Sequence, residues 1–177
     1  MRRFLISWLF IAALGSCHSG SPQWRKDFSP REKEILQKSR ALTARAYFAT
    51  MITHTPRGLM RARVMEPFAP DSTWTVWLAT NDRSRKVEEI RKDGRMTLHY
   101  FDRSSPGYVS LYGKAELVDD DSLKQKIWRP DWEKFYPGKR HYLLIRFRPE
   151  RLEMIDVGGG LPGDEKTWSP YVVILRR

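Results

Sequence analysis

One stretch of the sequence carries side chains that could bind an anionic group. Apolar residues alternate along 75–80, a polar turn follows, and Ser84, Arg85 and Lys86 stand where a helical pattern begins. The hydroxyls of Thr80 and Ser84, the two cations and the free N–H groups of a helix's first turn can converge on one phosphate. Taken alone, the stretch fits a basic turn in solvent better, so a phosphate site needs support from other segments.

A second cationic element precedes this turn. Alternation along 59–66 places Arg61 and Arg63 on one side of a strand, together with Leu59 and Met65. Two arginines are costly to bury without a counter-charge, so this side of the strand either faces solvent or meets a negative group.

Other kinds of site find little support in the sequence. No serine lies in a nucleophile elbow, paired carboxylates suited to acid–base catalysis are not evident, and residues 158–160 lack the strand-to-helix context of a dinucleotide-binding loop. The single cysteine is Cys17, and no metal-ligand spacing relates the four histidines His18, His54, His99 and His141. We therefore expect no metal site, and the basic elements instead suit an anionic cofactor that brings its own reactivity.

The first residues predict export and a membrane anchor. Residues 1–3 are basic, 4–14 are apolar but too few to span a bilayer, and Cys17 follows small residues as in a bacterial lipobox. We expect a lipoprotein signal peptide over 1–16, with a lipidated Cys17 and a polar tether over 17–28. This would place the protein in the bacterial cell envelope, facing the periplasm or the outer surface. The alternatives are an ordinary cleaved signal and a cytosolic protein with an apolar start.

Size and charge limit what the remaining residues, 29–177, can be. The chain has 177 residues, 41% of them hydrophobic, which suffices for one domain with a sizeable core. Its formal net charge is +11, but the basic residues are dispersed and many alternate with acidic ones. We therefore expect no nucleic-acid partner, and an anionic ligand or a lipid surface explains the charge better.

Turn and capping signals predict strands with helices between them. A capping box with proline at the first helical position, 29–32, predicts a helix, and Gly113 predicts a bulge inside a long strand. The pair Pro149-Glu150 is interpreted as a hairpin turn, and 129–139 as irregular cover for a barrel end or a partner subunit. Strands are predicted over 47–55, 59–66, 73–80, 95–102, 108–118, 141–148, 152–157 and 168–175, with helices over 85–93 and 119–128. The fold class is α+β, mainly β, namely a split antiparallel β-barrel of about six to seven strands with short helices.

Four segments follow one another along the chain: Arg63-Val64-Met65, then Ala79-Thr80-Asn81 with Ser84-Arg85-Lys86, then Asp93-Gly94-Arg95-Met96, then Tyr108 to Leu117. In their order, and nearly in their spacing, they resemble the pyridoxamine 5'-phosphate oxidase-like flavoproteins, most closely their general stress protein branch. The branch also shares a segment like Trp128-Arg129-Pro130 leading to Phe135-Tyr136-Pro137-Gly138. The combination is far more specific than any one segment.

The resemblance implies a homodimer with FMN in each of two clefts at the subunit interface. It implies that Arg63, Arg85 and Lys86 bind the FMN phosphate and that Ser84 adds a hydroxyl. The other implied cofactor positions are the backbone of Val64 and Met65 beside the ring, Ala79 and Thr80 along the ribityl chain and ring, and Tyr108. A phosphate dianion needs several fixed cations and donors, and a flat ring needs an apolar strand edge, so the residue types agree.

Three departures limit the functional expectation. In the vitamin B6 oxidases the position equivalent to Tyr108 is occupied by glutamine, and the position equivalent to Phe68 by a basic residue that binds the substrate. Those enzymes also have a C-terminal substrate-binding segment with arginine and histidine, and residues 171–177 of this chain lack that segment. We therefore expect an FMN-dependent oxidoreductase or stress-related redox protein of unknown substrate, and not a pyridoxamine phosphate oxidase. The alternatives are a non-catalytic split-barrel protein that binds haem or another ligand in the envelope, and a structural protein whose basic face meets lipid.

Overall fold

An antiparallel sheet of seven strands makes up most of the structure. The computed structural model describes residues 22–55 and 57–177, so the predicted signal peptide and Cys17 lie outside the described residues. The strands are β1 (Ala49–His54), β2 (Met60–Met65), β3 (Val76–Asn81), β4 (Arg95–Asp102), β5 (Gly107–Val118), β6 (Tyr142–Asp156) and β7 (Tyr171–Ile174). The helices of the described ranges are α1 (Pro30–Ala46), α2 (Arg85–Lys92) and α3 (Asp121–Ile127), with 3₁₀ turns at Pro130–Lys134 and Pro137–Lys139.

The order of the strands leaves the sheet open. It runs β2-β1-β4-β5-β6-β3, and β7 pairs with the second half of β6 beyond the end of β3. No strand pairing joins β2 to β3 within the described ranges, although the Phe68 N–H donates to the Trp77 carbonyl at 2.9 Å just after β2 ends. The prediction of a mainly β, antiparallel split barrel with short helices is therefore confirmed.

The long strand β6 corrects one prediction, because 141–148 and 152–157 do not form a hairpin. They are one continuous strand that passes through Pro149 and pairs with β5 along most of its length. Tyr112 pairs with Arg151 and Gly113 with Pro149, so Glu150 is the extra residue of a bulge. A proline lacks the N–H that a regular ladder needs, and a bulge is one of the few sites within a sheet that tolerates it.

The bulge predicted at Gly113 is confirmed by this register. A Cβ atom at Gly113 would collide with the Arg148 carbonyl and the Pro149 backbone, so the close approach of β5 and β6 requires glycine there. The Glu150 carbonyl turns outward and accepts the Leu175 N–H at 2.7 Å, which helps to hold β7 against β6.

Helix α1 begins at the predicted capping box. Ser29 Oγ accepts the Glu32 N–H at 3.2 Å, and Glu32 Oε2 accepts the Ser29 N–H at 2.8 Å. The helix packs against β4 and β5 with a buried face that includes Ile35, Leu36 and Leu42. Burying this apolar face, rather than helix propensity, accounts for most of the helix's stability.

The segment between α3 and β6 covers part of this chain's own sheet. Its Trp132 is buried against Tyr142 and Leu144 of β6, and Phe68 and Trp77 pack around the same cluster. The predicted cover is thus found on the β3 and β6 side of the barrel. Among the described helices, none is long and apolar enough to cross a membrane.

Candidate functional site

A buried carboxylate joins the two arginines of β2 to helix α2. Glu89 is only 2% exposed, and its oxygens accept hydrogen bonds from Arg61 Nη1 and Arg63 Nη2, each at 2.9 Å. Thr53 of β1 donates to Glu89 Oε2 at 2.5 Å and itself accepts from Arg63 Nη1 at 2.5 Å. Glu89 is therefore the counter-charge that the arginines of β2 need.

Charge compensation keeps this carboxylate ionised. Burial acts to raise the pKa of Glu89, but the hydrogen bonds from Thr53 and Arg61 and the charge of Arg63 together lower that pKa below its ordinary value. Glu89 and Thr53 are not among the site residues predicted from the sequence. The available signal was that Glu89 stands between Val87 and Ile90 on the buried face of α2, where an acidic residue needs a cationic partner.

Two hydroxyls and an amine meet beside these arginines. Lys86 Nζ donates to Thr80 Oγ1 at 3.2 Å, and Thr80 Oγ1 lies 3.1 Å from Ser84 Oγ. Ser84 is the N-cap of α2, yet its side chain makes no capping hydrogen bond, so its hydroxyl turns toward Thr80. The strand end, the turn and the helix start are thus brought together as the sequence predicts.

The electrostatics of Lys86 show a concentration of positive charge. Burial and the nearby charges of Arg63 and Arg85 lower the pKa of Lys86, while Glu89 acts in the opposite direction. We call Arg61, Arg63, Arg85, Lys86 and Glu89 the cation cluster; four cations and one carboxylate give it a formal charge of +3. A bound anion would relieve the repulsion that lowers the pKa.

The cofactor positions implied by the resemblance divide into two groups. Arg63, Thr80, Ser84 and Lys86 are brought together, and Arg85 stands exposed at the start of α2. The others lie around this group: Met65 packs partly against the main core, Val64 is 69% exposed on the opposite face of β2, and Ala79 faces the aromatic cluster around Trp132.

Tyr108 is separated from the cation cluster within one chain. It lies on β5, with β1 and β4 between it and β2, and its side chain is on the outer face of the sheet beside His99, at 5.4 Å between ring centroids. Arg63 points to the inner side, toward Glu89. The tertiary structure therefore does not place Tyr108 next to the residues that gather around Lys86.

The donor set of the cluster fits a phosphate and not a metal ion. Arginine and lysine side chains with two hydroxyls supply charge and hydrogen-bond donors. In the part of the chain that the structure describes, no group of three or more histidine, cysteine, aspartate or glutamate side chains could hold a metal ion.

Comparisons with known proteins assign most of the chain to a family. Residues 34–157, more than half of the chain, match the family model described as "Pyridoxamine 5'-phosphate oxidase like". General stress protein 26 of Bacillus subtilis (strain 168) is 28% identical over 93 residues, which cover 50% of this chain and 66% of that relative, just under two thirds of its length.

Solved structures share the fold. A protein related to general stress protein 26 from Clostridium acetobutylicum superposes with a TM-score of 0.67 at 20% identity, over 80% of this chain and 95% of that one. A pyridoxamine 5'-phosphate oxidase-related, FMN binding protein from Nostoc punctiforme gives 0.59 at 14% identity, over 85% and 99% of the two chains. A haem binding protein from Mycobacterium smegmatis gives 0.55 at 18% identity, over 67% and 52%.

The family match and the fold shared with these structures confirm the resemblance noted in the sequence. Identities this low show the fold alone, whereas the match to the family model extends from α1 to the end of β6. This chain belongs to the pyridoxamine 5'-phosphate oxidase-like family.

Proposed function

We propose that this protein is a flavoprotein that binds FMN through its phosphate at the cation cluster and acts as an FMN-dependent oxidoreductase or redox protein. The observation that carries the proposal is the convergence of Lys86, Thr80 and Ser84 beside Arg63, in a place where neighbouring cations lower the pKa of Lys86. Four positions predicted from two separate segments meet there, Arg63 from one and Thr80, Ser84 and Lys86 from the other.

Each residue of the cluster would have a distinct part in holding the phosphate. Lys86 and Arg85 would supply charge at the start of α2, where free N–H groups add to the attraction for an anion. Ser84 and Thr80 would donate their hydroxyl protons. Arg63 is oriented by Glu89 and Thr53, which use two of its five N–H donors and leave three for an anion.

The edge of the sheet suits the flat part of the cofactor. Strand β2 pairs only with β1 among the described strands, so part of its backbone N–H and C=O groups have no strand partner. Val64 and Met65 lie on this edge, directly after Arg63. Bound FMN would supply the electron-transfer chemistry, and the chain would supply position, charge and exclusion of water.

We also propose that the protein is a homodimer. The outer face of the sheet exposes large apolar side chains on four strands: Met60 and Val64 of β2, Phe101 of β4, Tyr112 of β5, and Val172 and Ile174 of β7. The strand registers place these residues on one face. An apolar face of this extent is typical of an interface, and Tyr108 lies on it, where it would meet a cofactor shared with a second copy.

The proposed location rests on the sequence that precedes the described residues. With Cys17 lipidated, the residues before Gln23 would connect the domain to the membrane surface, because the N–H groups of Gln23 and Arg25 already donate to the carbonyls of Arg177 and Leu175. Removal of residues 1–16 takes away Arg2 and Arg3, so the formal charge falls from +11 to +9, which would favour anionic lipid. Mass spectrometry of the protein from a bacterial membrane fraction tests this. An N-terminal diacylglyceryl cysteine supports it, and an unprocessed Met1 contradicts it.

The cofactor proposal is tested by comparing FMN with riboflavin, which lacks the phosphate. The purified protein should be yellow or should bind added FMN. It should bind riboflavin about a hundredfold more weakly, because riboflavin lacks the phosphate that accepts several charge-assisted hydrogen bonds from the cation cluster. Lys86→Gln should remove most of the preference for FMN. The matched control is Arg91→Gln, which removes the same charge from an exposed position of α2 and should leave the preference intact.

Two results would contradict the proposal. A colourless protein that takes up neither flavin would exclude FMN binding. Equal affinity for FMN and riboflavin, unchanged in Lys86→Gln, would show that the cation cluster does not hold the phosphate.

Haem binding is the second candidate function, favoured by one side chain. His99 is half-buried on the outer face, its Nδ1 lies 2.8 Å from Ser110 Oγ, and burial lowers its pKa. A neutral imidazole whose Nδ1 is engaged can offer Nε2 to iron. A Soret band that appears when haemin is added, and that the His99→Ala substitution abolishes, would support this function. If the unchanged protein gives no Soret band, haem binding is excluded.

A further inference from the structure

A separate cavity opens between α1 and the segment that follows β2. Its volume is about 490 Å³, within the usual range for small-molecule sites. Arg40 and Tyr47 line it from the α1 side, Phe68 from the segment after β2, Arg129 from the side of the 3₁₀ turns, and Tyr100 from β4. None of these residues belongs to the cation cluster.

Tyr100 lines this cavity and carries the most unusual polar atom near it, a buried hydroxyl. The side chain is 2% exposed, and among the described residues its oxygen has no hydrogen-bond partner. Leaving a buried hydroxyl unpaired costs about 1–3 kcal/mol, so such an atom suggests a partner that the chain itself does not supply. Burial also raises the pKa of Tyr100, which keeps its proton available for donation.

Arg40 supplies positive charge to the same cavity. Its Nη1 and Nη2 donate to the carbonyls of Pro70 and Asp71 at 2.8 and 2.6 Å, and its guanidinium lies 4.6 Å from the centre of the Trp74 ring. In the described part of the chain no carboxylate oxygen lies within ion-pair distance of it. Burial lowers the pKa of Arg40, with the charge of Asp71 acting in the opposite direction.

The second arginine of the cavity is already neutralised. Arg129 Nη1 lies 2.5 Å from Glu66 Oε1, and Tyr47 donates to the same carboxylate oxygen at 2.6 Å. The guanidinium of Arg129 also covers the Phe68 ring at 4.3 Å, which leaves an apolar wall with a cationic rim. The charges of Arg129 and Glu66 cancel, so the net charge of these cavity residues is the single positive charge of Arg40.

We propose that this cavity binds a small organic carboxylate, with one oxygen accepting the Tyr100 hydroxyl proton, the charge met by Arg40, and an apolar body against Phe68. This goes beyond flavin binding and does not depend on it, because no residue is shared with the cation cluster. An unpaired buried donor, a cation without an ion-pair partner and apolar walls are what an anion with an apolar body requires.

The test uses benzoate, and benzamide as its neutral isostere, titrated into the purified protein by calorimetry. Benzoate should bind saturably and at least about tenfold more tightly than benzamide, because only the anion gains from Arg40. Tyr100→Phe should weaken benzoate binding about tenfold without lowering the melting temperature, since it removes a hydroxyl that has no partner in the free protein.

Tyr142→Phe is a matched control. The Tyr142 hydroxyl is also buried without a partner among the described residues, but it does not line this cavity. This variant should bind benzoate as the unchanged protein does. FMN retention should be the same in both tyrosine variants, so failure of the flavin proposal and failure of this one are distinguishable.

Three outcomes would overturn the inference. They are no saturable benzoate binding at roughly millimolar concentration, equal affinity for benzoate and benzamide, and a Tyr100→Phe variant that binds benzoate unchanged. If a variant fails to fold, the relative affinities of the unchanged protein for benzoate and benzamide still show whether the cavity prefers a carboxylate.

Discussion

Glu89 and Arg63 form an ion pair of 2.9 Å that connects helix α2 to the edge strand β2. The carboxylate is 2% exposed, whereas the arginine side chain is 20% exposed, so the pair has a buried anionic end and an open cationic end. Glu89 thereby fixes the direction of Arg63 without enclosing it. This arrangement suits an arginine that must also bind a ligand from outside.

Loss of the Glu89 charge should destabilise the protein. In Glu89→Gln, Arg61 and Arg63 keep their charges but lose their common carboxylate, and we expect the free energy of unfolding to fall by roughly 1–3 kcal/mol. Urea unfolding measures this. Glu88→Gln, at an exposed neighbouring position with a 3.5 Å pair to Lys92, should change it by less than about 0.5 kcal/mol. Equal effects of the two variants would contradict the role of Glu89.

The affinity for FMN should depend on the proton of Lys86. Because burial, Arg63 and Arg85 lower the pKa of Lys86, the free protein loses this charge at a lower pH than the ordinary lysine value of 10.5. We therefore expect FMN affinity to fall as the pH rises toward that value. Riboflavin has no phosphate, and its affinity should not show this fall.

The Lys86→Gln variant is the control for this pH dependence. It should bind FMN more weakly at neutral pH and lack the fall at alkaline pH, as measured by fluorescence quenching of the flavin. A fall of the same size in the variant would assign the pH dependence to another group.

Acid should weaken the contact between α1 and β4. Hydrogen bonds from Ser104 and Arg45 lower the pKa of Asp102 from 3.8 to about 2. A lowered pKa in the folded state means that this contribution to stability is complete above the ordinary value and is lost as the pH falls toward the folded-state value. We expect the urea midpoint to drop between pH 3.8 and about 2, and Asp102→Asn should show a smaller drop over that interval.

The dimer proposal predicts that charge on the outer face separates the subunits. Val64 is 69% and Phe101 61% exposed, so Val64→Glu or Phe101→Glu should leave the fold intact while placing a carboxylate in the interface. Light scattering after gel filtration should give the dimer mass for the unchanged protein and the monomer mass for either variant. A protein that is monomeric before substitution would disprove the proposal.

Local signals predicted most of the elements. The capping box at Ser29 specifies where α1 begins, and alternation in β2 correctly puts Arg61 and Arg63 on one side. The predicted and observed ends of the helices and strands differ by a few residues, and these differences have local causes. Strand β1 begins at Ala49, because Tyr47 ends α1 with a φ of 60°, and β3 begins at Val76, after Trp74 with a φ of 61°.

The largest error was the prediction of a hairpin turn at Pro149-Glu150, because proline is found both in turns and at β-bulges. Pro149 next to Glu150 is typical of a turn, yet it lies inside β6 because Gly113 on β5 allows a bulge opposite it. The two residues are far apart in sequence and adjacent only in the sheet. No local pattern distinguishes a proline in a turn from a proline at a bulge.

The sequence by itself determined the family and the mainly β fold, because these depend on residue types at short spacings and on the order of four segments. It also predicted Arg63, Thr80, Ser84 and Lys86 as phosphate-binding residues, which remains a prediction. Only the tertiary structure decided that Glu89 and Thr53 hold Arg63, and that Tyr108 lies on the opposite face of the sheet. It also decided that Tyr100 and Arg40 share a cavity. Those relationships join residues that are distant along the chain, and strand pairing and helix packing bring them together.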